Sequence, residues 1–191
     1  MFILASSSSS RLEILNRLKL KPEFIVSPEI DETKKKKETP KMLSARLAKE
    51  KGAKVSLEHP NKIILSADTV VCIGRTVIEK CTTEDEVKKA ITLLSGKSHK
   101  VFTTICTTLN GVCKIRTTET KVKFKKLSTQ EIDFFIASGE GINKAGGYTI
   151  NGLAESFIIQ IIGSVSGVIG LPSVQTINLL KSYGIENFNQ N

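Results

Sequence analysis

Five consecutive serines, Ser6 to Ser10, follow directly after a short apolar segment, and Arg11 comes next. From Leu12 onward apolar residues recur at helical spacing, so the serines are predicted to join a strand end to a helix start. Backbone N–H groups are unpaired at a helix start and can bind a phosphate there. A serine-rich helix cap without any ligand is the commoner explanation, and it stays open at this point.

Asp68 lies in the middle of the most apolar segment of the chain, which runs from residue 63 to residue 73. The segment is rich in β-branched residues, which is typical of a buried strand. A carboxylate is costly to bury unless it is paired, bound to a metal or facing a cleft. We favour a functional acid over a satisfied core aspartate, because a kinked strand next to a site is a common way to present one.

Several familiar catalytic motifs are absent from the sequence. It contains no G-x-x-x-x-G-K-[ST], no G-x-G-x-x-G after a strand and no G-x-S-x-G. These absences disfavour P-loop NTPases, Rossmann dehydrogenases and α/β-hydrolases. There are only two histidines, and His99 is predicted to make a packing or polar contact. The remaining carboxylates, cations and serine segment suit phosphoryl chemistry, in which cations neutralise a polyphosphate and carboxylates hold a metal and water.

The composition is that of a globular protein with a positive net charge. The chain has 191 residues, and 28 Lys and Arg against 19 Asp and Glu give a formal charge of +9. No apolar segment approaches the roughly 18–20 residues of a membrane span, and the first residues lack the basic leader of a signal peptide. We therefore expect a cytoplasmic protein that contacts no membrane.

The four cysteines contain no C-x-x-C pair, so no zinc site is expected. Cys72, Cys106 and Cys113 lie among apolar or β-branched residues and are predicted to be small buried hydrophobes. The positive charge also suits a nucleic-acid-binding module. The basic residues are spread, however, and two tyrosines without tryptophan offer few stacking surfaces. The lysines 34–37 are predicted to form a solvated loop.

The elements needed to position these residues alternate irregularly between strands and helices, which predicts an α/β fold with a mixed sheet. Strands are predicted at residues 2–5, 24–26, 63–73, 76–80, 101–109, 112–115, 121–125 and 157–162, with a hairpin at Asn110-Gly111. Helices are predicted after the serines, from Pro40, after capping boxes at Thr83 and Ser128, and from a cap at Ser173. Residues 163–172 are predicted to be a loop, and residues 187–191 a frayed polar tail.

A series of short motifs follows in one order along the chain. They are residues 4–15 (Leu-Ala-five Ser-Arg-x-Glu-Ile-Leu), 28–32 (Pro-Glu-Ile-Asp-Glu), 46–51 (Arg-Leu-Ala-x-x-Lys), 67–71 (Ala-Asp-Thr-Val-Val), 78–80 (Ile-Glu-Lys), 94–101 (Leu-Ser-Gly-x-x-His-x-Val), 144–152 (Lys-Ala-Gly-x-Tyr-x-Ile-Asn-Gly) and 168–172 (Val-x-Gly-Leu-Pro). In this order, and over nearly the whole chain, they resemble the Maf-type nucleoside triphosphate pyrophosphatases.

The resemblance implies a fold and a reaction. It implies one domain over residues 1–191, in which an elongated mixed sheet with helices on both sides forms two lobes around a central cleft. The reaction is hydrolysis of a nucleoside triphosphate to the monophosphate and pyrophosphate with a divalent metal. Mg²⁺ is expected, with Mn²⁺ or Co²⁺ as alternatives. Members of the family are typically cytoplasmic and often form homodimers.

The resemblance also implies roles for individual residues. Asp68 would accept the proton of the attacking water, and Glu32 would help it to hold the metal or orient the water. Lys51 and Lys80 would neutralise charge as pyrophosphate leaves. The phosphates would be bound by Ser6, Ser8 and Arg11, and base preference would be set by Ser10, Thr69 and Asn151.

The chain departs from the family pattern in the serine segment, where Ser9-Ser10-Arg11 replaces Pro-Arg-Arg. Members that prefer dTTP and UTP carry arginine, threonine and glutamine at the selectivity positions, which here are Ser10, Thr69 and Asn151. Members that prefer 7-methyl-GTP carry glutamine and glutamate at the last two positions and fit less well. A pyrimidine nucleotide is therefore predicted, with modified bases still open. The alternative is a regulator of cell division that binds nucleotides without hydrolysing them.

Overall fold

The computed structural model describes residues 1–186, which form a seven-stranded mixed sheet with helices on both faces. The predicted α/β class with a mixed, helix-flanked sheet is confirmed. The predicted tail at 187–191 lies outside the described residues. The strands are β1 (Phe2–Ala5), β2 (Phe24–Val26), β3 (Ile63–Ile73), β4 (Thr76–Ile78), β5 (Ser98–Leu109), β6 (Val112–Phe124) and β7 (Ile158–Ile162).

The sheet has the order β2-β1-β3-β5-β6-β7, and β4 pairs with β3 off this path. The first three strands are parallel to one another, whereas β3, β5, β6 and β7 are successively antiparallel. The turn between β5 and β6 is at Asn110 and Gly111, where both residues have positive φ. This is the hairpin that the Asn-Gly pair predicts.

The helices are α1 (Ser9–Arg17), α2 (Pro40–Glu58), α3 (Glu84–Leu94), α4 (Thr129–Ala137), α5 (Val165–Ile169) and α6 (Ser173–Lys181), with a 3₁₀ helix at Leu153–Phe157. The start of α2 follows the predicted rule, since Thr39 caps it by accepting a hydrogen bond from the Met42 N–H at 3.3 Å. The capping boxes that begin at Thr83 and Ser128 are both present. Over residues 1–186, none of these helices has the length and apolar character needed to cross a lipid bilayer.

Alternate side chains of the sheet pack against different helices. On one face, β1, β3 and β5 contribute to a cluster closed by α1 and α6, with Leu15 and Leu180 at its centre. On the same face, the far end of the sheet packs against α3 and α4 around Phe124 and Phe135. On the other face α2 covers β1 and β3, where Val55 contacts the sheet. These helices hold β3 fixed from both sides.

One edge of β3 is interrupted. On this edge β1 pairs with Ile63 to Ser66, and β4 pairs with Val71 to Ile73. Within the described residues, 67–70 have no strand beside them on this edge. Because β1 and β2 are parallel to β3, their carboxyl ends meet at the same place, which is where ligands bind in open α/β sheets. The serine segment begins there.

Three local predictions are wrong. The predicted loop 163–172 contains the helix α5, which is too short for hydrophobic periodicity to reveal and is capped by Ser164. The cap of α6 is Pro172, and Ser173 is its first helical residue. Cys72 and Cys106 are buried as predicted, but Cys113 is exposed because it lies at the outer end of the β5–β6 hairpin.

Candidate active site

The gap beside residues 67–70 opens into a cleft of about 750 Å³. The cleft is lined by the serine segment, by the loop after β2 and by residues of α2, β3 and β4. The glycine-rich loop, residues 143–152, lines it as well. Nine of the ten predicted site residues are brought together in this lining, namely Ser6, Ser8, Ser10, Arg11, Glu32, Lys51, Asp68, Thr69 and Lys80. Asn151 is not among the lining residues. It is exposed in a turn two residues after Thr149, which does line the cleft.

Asp68 is buried at the gap and paired with Lys51. The Lys51 Nζ donates to Asp68 Oδ1 at 2.7 Å, and it also lies 2.7 Å from Glu32 Oε1. Asp68 and Lys51 are 5% and 8% exposed, whereas Glu32 is exposed. One ammonium group therefore joins a buried carboxylate to an exposed one at the mouth of the cleft.

Burial dominates the acid–base behaviour of Asp68. Loss of hydration raises the pKa of this carboxyl above its usual value, and the nearby Lys51 and Arg11 only partly oppose the rise. A carboxylate with a raised pKa is a better proton acceptor near neutral pH than an ordinary surface aspartate. A purely structural role as a satisfied core aspartate, which the sequence left open, does not explain why Asp68 lies at the gap in the sheet.

Small and hydroxyl-bearing residues let α2 approach the sheet closely enough for this pair to form. A Cβ on Gly52 would lie 2.7 Å from Thr108 Oγ1 and 2.8 Å from Ser66 Oγ, so only glycine fits there without a shift. The Ser66 hydroxyl donates to the Ala48 carbonyl at 2.7 Å. The residue next to Gly52 is Lys51, so this close approach carries its side chain to Asp68.

Arg11 is held in place by three of its five N–H groups. Its Nε donates to the Gly170 carbonyl at 3.0 Å and its Nη1 to Ser6 Oγ at 3.0 Å, while its Nη2 lies 3.5 Å from Thr69 Oγ1. Burial lowers its pKa, and the charges of Asp68 and Glu32 oppose this. An arginine stays protonated in proteins, so two N–H groups of a fixed cation are left for an anion in the cleft.

The serine segment forms the predicted turn into α1. The Ser8 N–H donates to Ser6 Oγ at 3.2 Å, and Ser8 occupies the cap position of α1 without any hydrogen bond from its side chain. The explanation of the serines as side-chain caps is therefore not supported. The first N–H groups of a helix have no partner within it and can bind an anion.

Sequence reasoning missed Lys144 and Glu79, which line the cleft beside Lys80. The glycine-rich loop is fixed there, because Lys80 and Ala145 form an isolated β-bridge and the Cys81 N–H donates to the Lys144 carbonyl at 3.2 Å. The motif 144–152 carried the signal for this position, but it marks Lys144 no more strongly than its neighbours.

His99 makes the predicted polar contact away from the reacting groups. Its Nε2 lies 2.7 Å from the Tyr148 hydroxyl, and the two rings meet edge to face. Burial lowers the pKa of His99 to about 4, so the imidazole is neutral at physiological pH. The pair fixes Tyr148, which is one of the residues that line the cleft.

The residues present fit a divalent cation such as Mg²⁺. Oxygens of Asp68 and Glu32 converge on one cationic group, and Mg²⁺ is commonly held by one or two carboxylates together with substrate phosphates. Within residues 1–186 no three His, Cys, Asp or Glu side chains cluster closely enough to hold a metal by themselves. Phosphate oxygens of a substrate would supply the remaining ligands.

Similarity to known proteins extends over nearly the whole chain. The family model described as "Maf-like protein" matches residues 1–183. The chain belongs to the Maf family. Relatives named "Nucleoside triphosphate pyrophosphatase" occur in Ehrlichia chaffeensis, with 48% identity over 95% of both chains, and in Rickettsia felis, with 46% identity over 98% of this chain and 95% of the relative. A relative of the same name from Ehrlichia canis is 47% identical over 95% of both chains. The predicted family and enzyme class are confirmed.

Proposed function

We propose that this Maf protein hydrolyses a pyrimidine nucleoside triphosphate, dTTP, UTP or a modified form, to the monophosphate and pyrophosphate. The observation that carries the proposal is the buried Asp68, paired with Lys51 and placed in the gap of the sheet beside the serine turn. A cleft of about 750 Å³ has room for a nucleotide. The names of the relatives support the general activity.

Asp68 is the proposed proton acceptor. Its raised pKa lets it take a proton from a water molecule as that water attacks the α-phosphorus in line. The bond between the α-phosphorus and the bridging oxygen breaks, and pyrophosphate leaves with the electron pair. Little further covalent chemistry is needed, because positioning and charge stabilisation supply most of the catalysis of phosphoryl transfer.

Cations around the cleft stabilise the leaving group. Arg11 offers two N–H groups in a fixed orientation, and Lys80 and Lys144 also line the cleft. Among the described residues no ion pair holds either of these two lysines, so their charges are available to a polyphosphate. Lys51 adds a further positive charge next to the proton acceptor.

Glu32 and Asp68 are the proposed ligands of the divalent metal. When bound, the metal supplies positive charge to the phosphate oxygens and lowers the pKa of a coordinated water. Glu32 is exposed and lies on a loop, so it can adjust to a ligand while Asp68 stays fixed in the strand. The identity of the metal, the homodimer, the cytoplasmic location and the single-domain organisation remain predictions.

The first experiment compares the wild-type protein with Asp68→Asn. The variant keeps the shape of the side chain but cannot accept the proton, so we expect kcat to fall by about 10²–10⁴-fold while nucleotide affinity stays within a few-fold. Pyrophosphate release measures turnover, and titration with an α,β-methylene nucleotide measures affinity. The control is Asp133→Asn, which makes the same change at an exposed residue paired with Lys88. Wild-type turnover in Asp68→Asn would reject Asp68 as the proton acceptor.

A nucleotide panel then tests the substrate class. It contains UTP, dTTP, CTP, 7-methyl-GTP, pseudo-UTP and 5-methyl-UTP, each with Mg²⁺, Mn²⁺ or Co²⁺. We expect the highest kcat/KM among the uracil and thymine nucleotides. Tight binding without pyrophosphate release from any of them would instead support a nucleotide-binding regulator.

A further inference from the structure

The loop that carries Glu32 is long and exposed. In the described structure, residues 27–39 connect β2 to α2 without a strand or helix of their own, and residues 31–37 are all exposed. A loop of this length without regular structure is uncommon in a compact domain unless it serves a function. The Glu32 Oε1 nevertheless lies 2.7 Å from Lys51 Nζ at the mouth of the cleft. Burial of residues 31–37 does not account for that position.

Arg46 of α2 binds this loop directly after Glu32. Its Nη2 donates to the Thr33 carbonyl at 2.9 Å. Its Nε and Nη2 also donate to the two carboxylate oxygens of Glu38, at 2.8 Å and 3.1 Å. Two parallel bonds of this kind are the strong, directional form of an arginine–carboxylate contact. The side chains of Arg46 and Glu38 are only 15% and 7% exposed, so solvent ions screen the pair little.

Glu38 and Ile30 attach the loop on either side of Glu32. The Glu38 Oε2 accepts the Lys35 N–H at 3.0 Å, and the Glu38 N–H donates to the Lys35 carbonyl at 3.1 Å. Before Glu32, the partly buried Ile30 packs against an apolar cluster that includes Leu43 of α2. The backbone is therefore attached to α2 on both sides of Glu32, while the exposed Glu32 side chain can still turn toward a ligand.

The same helix supplies Lys51. The Arg46 Nη1 donates to Glu50 Oε2 at 2.9 Å, one turn along α2, and the next residue is Lys51. Positions on one helix are held more precisely than positions on a loop, so α2 sets the distance between Lys51 and the attached loop. The motif at residues 46–51 contains both basic residues, but the resemblance gives a role to Lys51 alone.

We propose that Arg46 is a positioning residue that holds the loop of Glu32 to α2, so that the Glu32 carboxylate stays at the mouth of the cleft where it and Asp68 can share a metal. This inference rests on the proposed function in one respect, namely that Glu32 is a ligand of the divalent metal. Arg46 is not among the residues that line the cleft, so it acts through Glu32. Outer residues that orient a metal ligand typically change metal affinity by roughly 10–100-fold when they are substituted.

The charge of Arg46 alone predicts an effect of the opposite sign. A nearby cation repels a metal ion, so removing its charge would tighten metal binding. Loss of the loop attachment would instead weaken metal binding. Lysine keeps the charge but has no planar fork, so it cannot bind both oxygens of Glu38 and the Thr33 carbonyl together. Arg46→Lys therefore separates position from charge, whereas Arg46→Met removes both.

The test measures the Kd for Mn²⁺ in the presence of the α,β-methylene analogue of UTP, which does not depend on turnover. Water proton relaxation distinguishes protein-bound Mn²⁺ from Mn²⁺ on the free nucleotide. We expect the Kd to rise about tenfold in Arg46→Lys, and to rise in Arg46→Met despite the lost charge. Glu32→Gln weakens the ligand itself and should raise the Kd at least as much. Adding Arg46→Lys to Glu32→Gln should raise the Kd no further, because both changes act on one ligand.

Lys62→Met is the matched control for Arg46→Met. The Lys62 Nζ contacts both oxygens of Glu23, at 2.8 Å and 2.7 Å, and neither residue lines the cleft. Its loss removes one positive charge and one two-oxygen contact outside the loop, so the Kd for Mn²⁺ should stay unchanged. If the Arg46 variants do not fold, Glu38→Gln takes their place. It removes the charge that Arg46 binds, and the Kd should again rise several-fold.

Amide hydrogen exchange gives a readout that requires no metal. The Lys35 N–H is protected by its bond to Glu38, so its exchange should become faster in Arg46→Lys than in the wild-type protein. Exchange in the core strands β3 and β5 should keep its rate, because the loop opens locally. Faster exchange in these strands and at Lys35 alike would show a general loss of stability and would overturn a positioning role.

A Kd for Mn²⁺ within about twofold of wild type in a folded Arg46→Lys would overturn the inference, as would tighter binding in Arg46→Met. An unchanged Kd in Glu32→Gln, or an additive loss in the double variant, would overturn it too. Pyrophosphate release from UTP is measured separately. Its absence together with the expected Mn²⁺ affinities would reject the proposed hydrolysis and leave the role of Arg46 supported. Hydrolysis with unchanged affinities would have the opposite meaning.

Discussion

Lys51 has two carboxylate partners. Its Nζ lies 2.7 Å from Asp68 Oδ1 and from Glu32 Oε1, and its side chain is almost completely buried. Removing one partner of a buried pair leaves the other charge without compensation, and the free-energy cost exceeds what an intact pair contributes. The charge of Lys51 therefore opposes the effect of burial on the pKa of Asp68.

The substitution Lys51→Met tests this control of protonation. Lys51 lowers the pKa of Asp68 against the effect of burial, so its loss should raise that pKa further. The acidic limb of the kcat/KM profile should then move to higher pH, because Asp68 must be deprotonated to accept a proton. Lys51→Arg keeps the charge and should keep the limb near its wild-type position. An unmoved limb in Lys51→Met would show that another group controls it.

Single residues differ in how visible they are in a sequence. Asp68 stands out, because a carboxylate inside a β-branched segment conflicts with the cost of burial. Lys51 has no such signal, since α2 contains other lysines and only its contact with β3 separates this one from them. The resemblance to a family supplied Lys51, whereas the chemistry of the segment alone supplied Asp68.

At the scale of elements, the site depends on where strands stop pairing. Hydrophobic patterns predicted β1, β3 and β4, and all three are present. They did not predict that β1 and β4 cover different parts of one edge of β3, because pairing register depends on contacts distant in sequence. The cleft is this uncovered part. Capping boxes were predictable for the opposite reason, since their signal lies within four residues.

Gly52→Ala tests the close approach of α2 to the sheet. Alanine is the better helix former by about 1 kcal/mol, but its Cβ would meet Ser66 and Thr108 at less than 3 Å. We expect α2 to shift outward and carry Lys51 from Asp68, so that kcat falls by about 10–100-fold, the effect of misplacing catalytic groups by about 1 Å. Steady-state kinetics measures it.

Ala53→Gly is the companion variant for α2. It changes helix propensity at the next, exposed position without altering any contact with the sheet. It should cost about 1 kcal/mol of stability in urea unfolding and leave kcat unchanged. If Gly52→Ala also leaves kcat unchanged, as expected for a change of helix propensity alone, close packing of α2 does not position Lys51.

For the molecule as a whole, the basic residues behind the net charge of +9 are spread along the sequence. The lysines 34–37 are exposed, as predicted for a solvated loop. Many other basic residues form surface ion pairs, such as Lys62 with Glu23, Lys100 with Glu119 and Lys125 with Glu131. An excess of positive charge of this kind attracts a small polyanion into a cleft without requiring a nucleic-acid surface.

His99 makes the stability of the whole molecule depend on pH. It connects β5 to the glycine-rich loop through Tyr148, and burial lowers its pKa to about 4. In the unfolded chain the pKa returns to its ordinary value near 6.5. Between these values the unfolded state binds more protons than the native state. The free energy of unfolding therefore rises with pH in this window and falls as pH drops from 6.5 toward 4.

The predicted size of this effect is about 3 kcal/mol between pH 7.5 and pH 4, from a difference of roughly 2.5 pKa units. Carboxylates with lowered pKa values, such as Glu38, also reduce the free energy of unfolding when they are protonated in acid. One titration of the wild-type protein therefore cannot isolate the contribution of His99. Urea unfolding is therefore measured for the wild-type protein and for His99→Gln from pH 4 to pH 7.5. The carboxylates contribute equally to both proteins, so their contribution cancels in the difference. The advantage of the wild-type protein over the variant should shrink by about 3 kcal/mol toward pH 4. Two parallel curves would mean that the pKa of His99 is the same in the native and unfolded states, and that burial does not lower it.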